Sequence, residues 1–357
     1  MLGFTIASLL PLPLLLLAAV LGGVWSWIAF GYLTVFIWVM DLLIPRNWRN
    51  RNPNAEFPAG QGLSMVLGLA HLWLVIAAIQ WIGGTGGAEG LEAVVAGLAF
   101  GLFFGQVSHP NAHELIHRPA RQARRLGRLV YITMLFGHHA SSHPKVHHIH
   151  VGSDGDPNSA RVGQSFYGFA LRAWLGSFWA GLRAERADIR RAGKSIFLNP
   201  YWAYLLGAGA ILWLAWAMSG LRGMLIFVAI SALAQMQILL SDYVQHYGLR
   251  RHTGHNGRLE PVGPQHSWNA PHAVSAAMML NAPRHSDHHV HPARSYPGLQ
   301  IDRTKMPMLP RSMPVMATLA LIPPVWRRMM DPRVEDWQYN GDFHGLTGFA
   351  RDSALRV

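Results

Sequence analysis

Residues 91–118 read LEAVVAGLAFGLFFGQVSHPNAHELIHR. Up to Ser108 this stretch carries a single charge, Glu92, and it approaches the ~20 residues that cross a hydrocarbon core. His113 and His117 follow at once. Residues i and i+4 share one face of a helix, so both imidazoles can reach a common metal. An apolar span that ends in a metal-type pair predicts an all-α, polytopic membrane bundle with a metal site at one membrane face.

The rest of the chain fits that reading. It is 51% hydrophobic and 13% charged, against the roughly 25% charged of a soluble domain. Six transmembrane spans are expected, at about 4–21, 24–43, 62–83, 91–108, 201–219 and 222–242. The N-terminal run lacks a positive leader region and an A-x-A site, and reads as a retained first helix. The turns after spans one and three carry no Lys or Arg, whereas Arg46, Arg49 and Arg51 follow span two and 13 Lys or Arg lie in 109–200. Positive residues mark the cytoplasmic side, so the histidine-rich segments form a cytoplasmic cap. The net charge of +12 is explained in the same way, without nucleic acid. Two further apolar stretches, 126–137 and 166–181, are short or interrupted by Arg172 and read as interfacial or buried helices. No repeat or linker divides the chain. It reads as one integral-membrane domain over 1–357, with spans one to four in 1–108, two histidine clusters in 109–200, spans five and six in 201–242, and a third cluster and cap in 243–357.

There is no cysteine and there are 20 histidines. Thiolate sites are excluded, and a metal must sit on nitrogen or oxygen. The second cluster, His143, His147 and His148, has H-x3-H-H spacing: a helical pair at i and i+4 plus a neighbour pointing elsewhere, enough to serve two metals. The third, His285, His288 and His289, repeats the theme, and His246 closes span six. A lone histidine is ordinarily a surface or satisfied core group. Nine at metal-ligand spacing on one membrane face are too many for one tetrahedral zinc; two metals with imidazole-dominated shells favour iron.

HELIHR, the SHPKVHH segment leading into DGDPNSAR, DYVQHYGLRR and SWNAPHAVSAAMMLNAPRHSDHHVHPARSY occur in that order, with ALIPPVWRRMMDPRV near the end. Over about 100–335 the chain resembles the membrane-bound alkane monooxygenases, within the wider superfamily of membrane di-iron fatty acid desaturases and hydroxylases. The resemblance implies two non-haem Fe ions, O2 as co-substrate, and electrons from a rubredoxin with its NAD(P)H-dependent reductase. It also implies terminal hydroxylation of medium-chain alkanes to primary alcohols, in a bacterial cytoplasmic membrane. By motif position the ligands are His113, His117, His143, His147, His148, His246, His285, His288 and His289. The chain departs from the family pattern at Ser142, Val146, Asp242 and Gln245, where Glu, Gly, Asn and Glu are usual.

Glu114 and Asp287 are read as carboxylates that orient metal-bound histidines, with an Asp287–Arg284 salt bridge as the plain alternative. Asp154 and Asp156 either support the second cluster or form a polar turn. His150, His291, His109, His138 and His139 flank the clusters, while His71 and His344 stand apart. Trp25, Trp27 and Trp38 line a substrate channel or anchor the bundle at the interface. The nearest rival function is a relative acting on an aromatic methyl group or a fatty acyl chain. A rival of another class is an intramembrane zinc metalloprotease using HELIH, with Glu114 as base and Asp154 as third ligand.

Overall fold

The computed structural model describes residues 1–84, 87–254 and 257–340; His344 lies outside them. The described residues are all-α, with only two isolated bridges, Thr253 with Leu259 and Asn269 with Met308. Five helices are long and apolar enough to cross a membrane. The first four are α1 (Leu2–Leu21), α2 (Val24–Leu43), α3 (Pro58–Gly83) and α4 (Gly90–Ile116). Outward positions such as Val20, Trp73 and Leu206 are more than 70% exposed, the surface expected of helices solvated by hydrocarbon.

Behind α4 come α5 (Arg121–Thr133) and α6, the short helical run 139–150 that holds the second cluster. Next come α7 (Phe166–Arg191) and α8 (Pro200–His246), the fifth apolar helix. The two segments read as interfacial or buried overlap α5 and α7, which are not among the five apolar helices. A straight helix of 47 residues would be about 70 Å long, over twice the ~30 Å hydrocarbon core. α8 is therefore broken, at Ser219 (φ −140°, ψ 15°) and Gly220 (φ 63°, ψ −165°), where the two expected spans 201–219 and 222–242 meet. Gly220 takes a left-handed φ that only glycine adopts freely. The Ser219 hydroxyl donates to the Ile79 carbonyl at 2.9 Å, fixing the break against α3.

Four further helices follow: α9 (Ala273–Met278), α10 (His285–Val290), α11 (Met313–Ala320) and α12 (Pro323–Asn340). Close packing positions the end of α4. A Cβ added at Gly127 of α5 would lie 2.8 Å from the Leu115 side chain, so glycine lets α5 press on the HELIH turn. Every residue from His109 to Ile116 is buried. Lys145 reaches Glu185 at 2.8 Å and Asp188 at 2.6 Å, tying α6 to α7.

Candidate metal centre

The nine predicted histidines converge in two groups. One ring nitrogen from each of His113, His117, His143, His148 and His288 lies within 4.8 Å of the others, and the same holds for His147, His246, His285 and His289. The groups share a wall, with the His148 and His289 rings 4.6 Å apart. Within the first, Nε2 of His143 lies 2.6 Å from that of His113 and 2.9 Å from that of His148, which lies 3.1 Å from that of His288. Within the second, Nε2 of His285 lies 3.0 Å from those of His246 and His289. Metal–imidazole bonds of about 2.1 Å at right angles place two nitrogens about 3 Å apart, so the spacing fits ligands converging on a common ion. Nε2 of both His117 and His147 is buried without a hydrogen-bond partner. A buried polar atom left unpaired is costly, and a metal ion would satisfy it.

The electrostatics agree. Burial and then neighbouring imidazoles hold His143, His148, His285, His288 and His289 well below the ordinary histidine pKa. Burial, with Arg118 next, brings His117 down to about 3. These rings are neutral at pH 7, the form that offers a lone pair to a metal.

Local structure corrects the expected pairing in the second cluster. His143 shares its group with His148, not with His147 four positions on. The run His143–His147 is a π-helical turn, whose i→i+5 bonding inserts one residue and brings position 148 to the face that 147 would hold. Pro144 is the signal: it has no N–H for the i−4 carbonyl and its ring clashes there. In the third cluster His285 and His289 fall together at i and i+4, and His288 joins the first group.

The carboxylates divide. Asp156 is fully buried and accepts Nδ1–H of His147 at 2.9 Å, Ser159 Oγ–H at 2.7 Å and the Asn158 amide at 3.0 Å. Asn158 in turn donates to Asp242 at 2.6 Å. Burial would push Asp156 up, but His147 and these donors hold it below the usual range. Burial likewise pushes His147 down, yet Asp156 outweighs it and raises the ring. Asp154 is 77% exposed and pairs with Arg250 and Arg161, so it lies outside both groups. Asp287 accepts from His291 at 3.1 Å and pairs with Arg294, touching neither group's nitrogens. The alternative Arg284 bridge does not form either: that guanidinium donates to Asn50 Oδ1 and to the Leu299, Asn47 and Arg49 carbonyls. Glu114 accepts the Tyr296 amide at 3.3 Å and meets Arg118 at 3.4 Å. The flanking His109, His138, His139, His150 and His291 belong to neither group. His71 is buried in α3 against Thr133 at 3.0 Å. Sequence reading missed the Asn158–Ser159 support of Asp156, though DGDPNSA marked the segment.

Beside the centre, a cavity of about 530 Å³ runs among α2, α4, α8 and α11. Its wall is mostly apolar and includes Leu33, Leu102, Leu233, Met236 and Trp38 but not Trp25 or Trp27. His109 also lines it, with its ring 6.2 Å from that of His113. π-helical turns at Tyr32–Phe36 and Phe104–Ser108 contribute residues from both sides.

Comparison with known proteins agrees with this architecture. Residues 89–316 match the fatty acid desaturase family. Alkane 1-monooxygenase 1 of Pseudomonas aeruginosa is 32% identical over 318 residues, covering 87% of this chain and 82% of the relative. Alkane 1-monooxygenase 2 of Alcanivorax borkumensis is 30% identical, covering 90% and 86%. The hydroxylase component of the xylene/toluene monooxygenase of Pseudomonas putida is 25% identical, covering 88% and 84%. With its two histidine groups and its apolar helices, the chain belongs to the fatty acid desaturase family and is an enzyme of the alkane 1-monooxygenase type.

Proposed function

We propose that the protein hydroxylates the terminal methyl of medium-chain alkanes, consuming O2, two electrons and two protons and releasing a primary alcohol and water. The observation that carries this reading is the division of nine histidines, most of them buried, into two adjacent groups. His113, His117, His143, His148 and His288 would hold one iron, and His147, His246, His285 and His289 the other. When bound, the iron pair supplies the reduction of O2 and the oxidation of the C–H bond. The chain's own residues do the rest. Asp156 fixes the His147 tautomer, and the apolar wall from Leu33 to Leu319 holds a chain that offers no hydrogen bond. An end-on approach of the chain along this wall would select the methyl over weaker internal C–H bonds.

The test is metal analysis combined with product identification. Two irons per chain and octan-1-ol from octane are expected, with secondary alcohols minor. A single zinc would support a protease instead. The similarity to a xylene/toluene hydroxylase favours an aromatic methyl as the second reading, so a xylene and a fatty acyl substrate belong in the same panel. Preferential attack on either would replace the alkane while leaving the iron chemistry.

The break in α8 supports six spans, with both termini and the centre on the cytoplasmic side of the bacterial inner membrane. A cysteine placed at Gly87, in the loop between α3 and α4, should be labelled only from outside; labelling from the cytoplasm alone would reverse the topology. The cap carries Arg121, Arg125, Arg186 and Arg190 on exposed surface, and we infer an acidic rubredoxin as donor. With donor below saturation, turnover should fall as ionic strength rises, because docking steered by charge is screened. A rate flat across that range would count against this docking.

A further inference from the structure

The second half of α7 and its connection to α8 contribute to neither the histidine groups nor the large cavity. Along one face of α7, Leu171, Leu175, Phe178 and Leu182 recur at three- and four-residue spacing, and Arg186 and Arg190 continue the same stripe. Its apolar part is uncovered. Leu171 is 64% exposed, and Trp174, Leu175 and Trp179 are exposed beside it. Ile196, Phe197 and Leu198 follow in the connection, with Phe197 at 79%. A contiguous apolar patch of this kind marks a membrane or protein contact.

Between α7 and the start of α8 lies a groove of about 130 Å³, lined by Phe178, Leu182, Ile196, Trp202, Leu205 and Arg186 among others. That volume is below the roughly 300 Å³ of a small-molecule site, but it admits a length of one acyl chain. The Tyr201 hydroxyl beside it donates to the Phe178 carbonyl at 2.8 Å, and the Trp202 indole N–H to the Ile196 carbonyl at 3.3 Å. Arg186 differs. It is exposed, as are Arg183 and Arg190 one turn to either side, and among the described residues none of the three is in an ion pair. The nearby carboxylates are taken: Glu185 by Lys145, and Asp188 by Lys145 and Arg191.

Position supplies the occupant. α8 begins at Pro200 and is long and apolar enough to cross a bilayer, so the groove lies where that helix enters the membrane. Trp179 and Trp202 flank it, the residue type that settles between hydrocarbon and headgroups. An exposed apolar stripe that ends in unpaired cations at this depth complements both halves of an anionic phospholipid. A soluble acidic protein would complement only the cations.

We propose that this groove binds an anionic phospholipid, with one acyl chain against Phe178, Leu182, Trp202 and Leu205 and the headgroup phosphate on Arg186, flanked by Arg183 and Arg190. Arg121 and Arg125 on α5 are left to the electron donor.

The test is native mass spectrometry of the full-length protein released from detergent, titrated with phosphatidylglycerol and phosphatidylcholine of identical acyl chains. Wild type should retain one phosphatidylglycerol at concentrations where phosphatidylcholine leaves it mostly bare. Arg186→Gln should weaken phosphatidylglycerol about fivefold, the effect of one cation at an anionic lipid surface, and move phosphatidylcholine less than twofold. Leu182→Trp, which fills the groove, should weaken both lipids. Arg328→Gln makes the same charge change at an exposed position of α12 and should alter neither. Inorganic phosphate should not displace the lipid, because it leaves the apolar half of the groove empty. Wild-type phosphatidylglycerol affinity in Arg186→Gln overturns the site, and an equal loss in Arg328→Gln does so too by reducing the effect to net charge. If Arg186→Gln keeps its lipid but loses turnover with rubredoxin below saturation, the cluster docks the donor instead.

Discussion

A His246→Ala protein should lose turnover entirely and retain about one iron in place of two. His246 belongs to the smaller group, with His147, His285 and His289, and its removal leaves three nitrogens where four converge. It is fully buried, so bulk water replaces the missing donor poorly. The loss in affinity should exceed the roughly 10- to 100-fold that follows loss of an outer hydrogen-bond partner. The larger group responds differently. Removing His117 leaves His113, His143, His148 and His288, still a four-nitrogen set, so His117→Ala should hold more iron than His246→Ala although both are inactive. His71→Ala is the control: it loses a buried hydrogen bond to Thr133 and some stability, of order 1–3 kcal/mol, but both irons stay. Chelator titration with iron analysis decides the order. Wild-type iron content and turnover in His246→Ala would remove that residue from the site.

How much of this was legible in the sequence depends on the length scale of the cause. The spans follow from composition over about 20 residues, so α1 to α4 appear where the apolar runs are, and the break at Ser219–Gly220 falls between two expected spans. The pairing of His113 with His117 follows from the ordinary helical period. The pairing of His143 with His148 does not, because a single π turn at His143–His147 shifts the register, and only Pro144 hints at it. Asp287 illustrates a different limit. Adjacency to His288 suggested contact with a metal-bound ring, but consecutive helical residues point about 100° apart, and the carboxylate turns away to Arg294 and His291. The partner of His147 is instead Asp156, nine positions on and across a turn that spacing rules do not describe.

That partner gives the second large effect. Asp156→Asn should lower iron affinity or turnover about 10- to 100-fold, the usual cost of losing a carboxylate behind a metal-bound histidine, and should be worse than Asp156→Ala. The carboxylate accepts Nδ1–H of His147 and so leaves the lone pair on Nε2, the atom that is buried, unpartnered and within the second nitrogen group. An asparagine amide can donate to Nδ1, which would move the ring hydrogen to Nε2, where it faces the metal position and opposes ligation. Alanine removes the acceptor without imposing the wrong tautomer, although Ser159 and the Asn158 amide lose their partner as well. A purely structural role predicts the reverse order, since asparagine fills the same volume and keeps some of those bonds while alanine leaves a cavity. Iron content after dialysis against a graded chelator, measured alongside the melting temperature of the metal-free proteins, separates the two: a variant that melts like wild type yet releases iron more readily than Asp156→Ala assigns Asp156 to the His147 tautomer, whereas parallel losses of stability and iron, greatest for alanine, would reduce it to a packing residue.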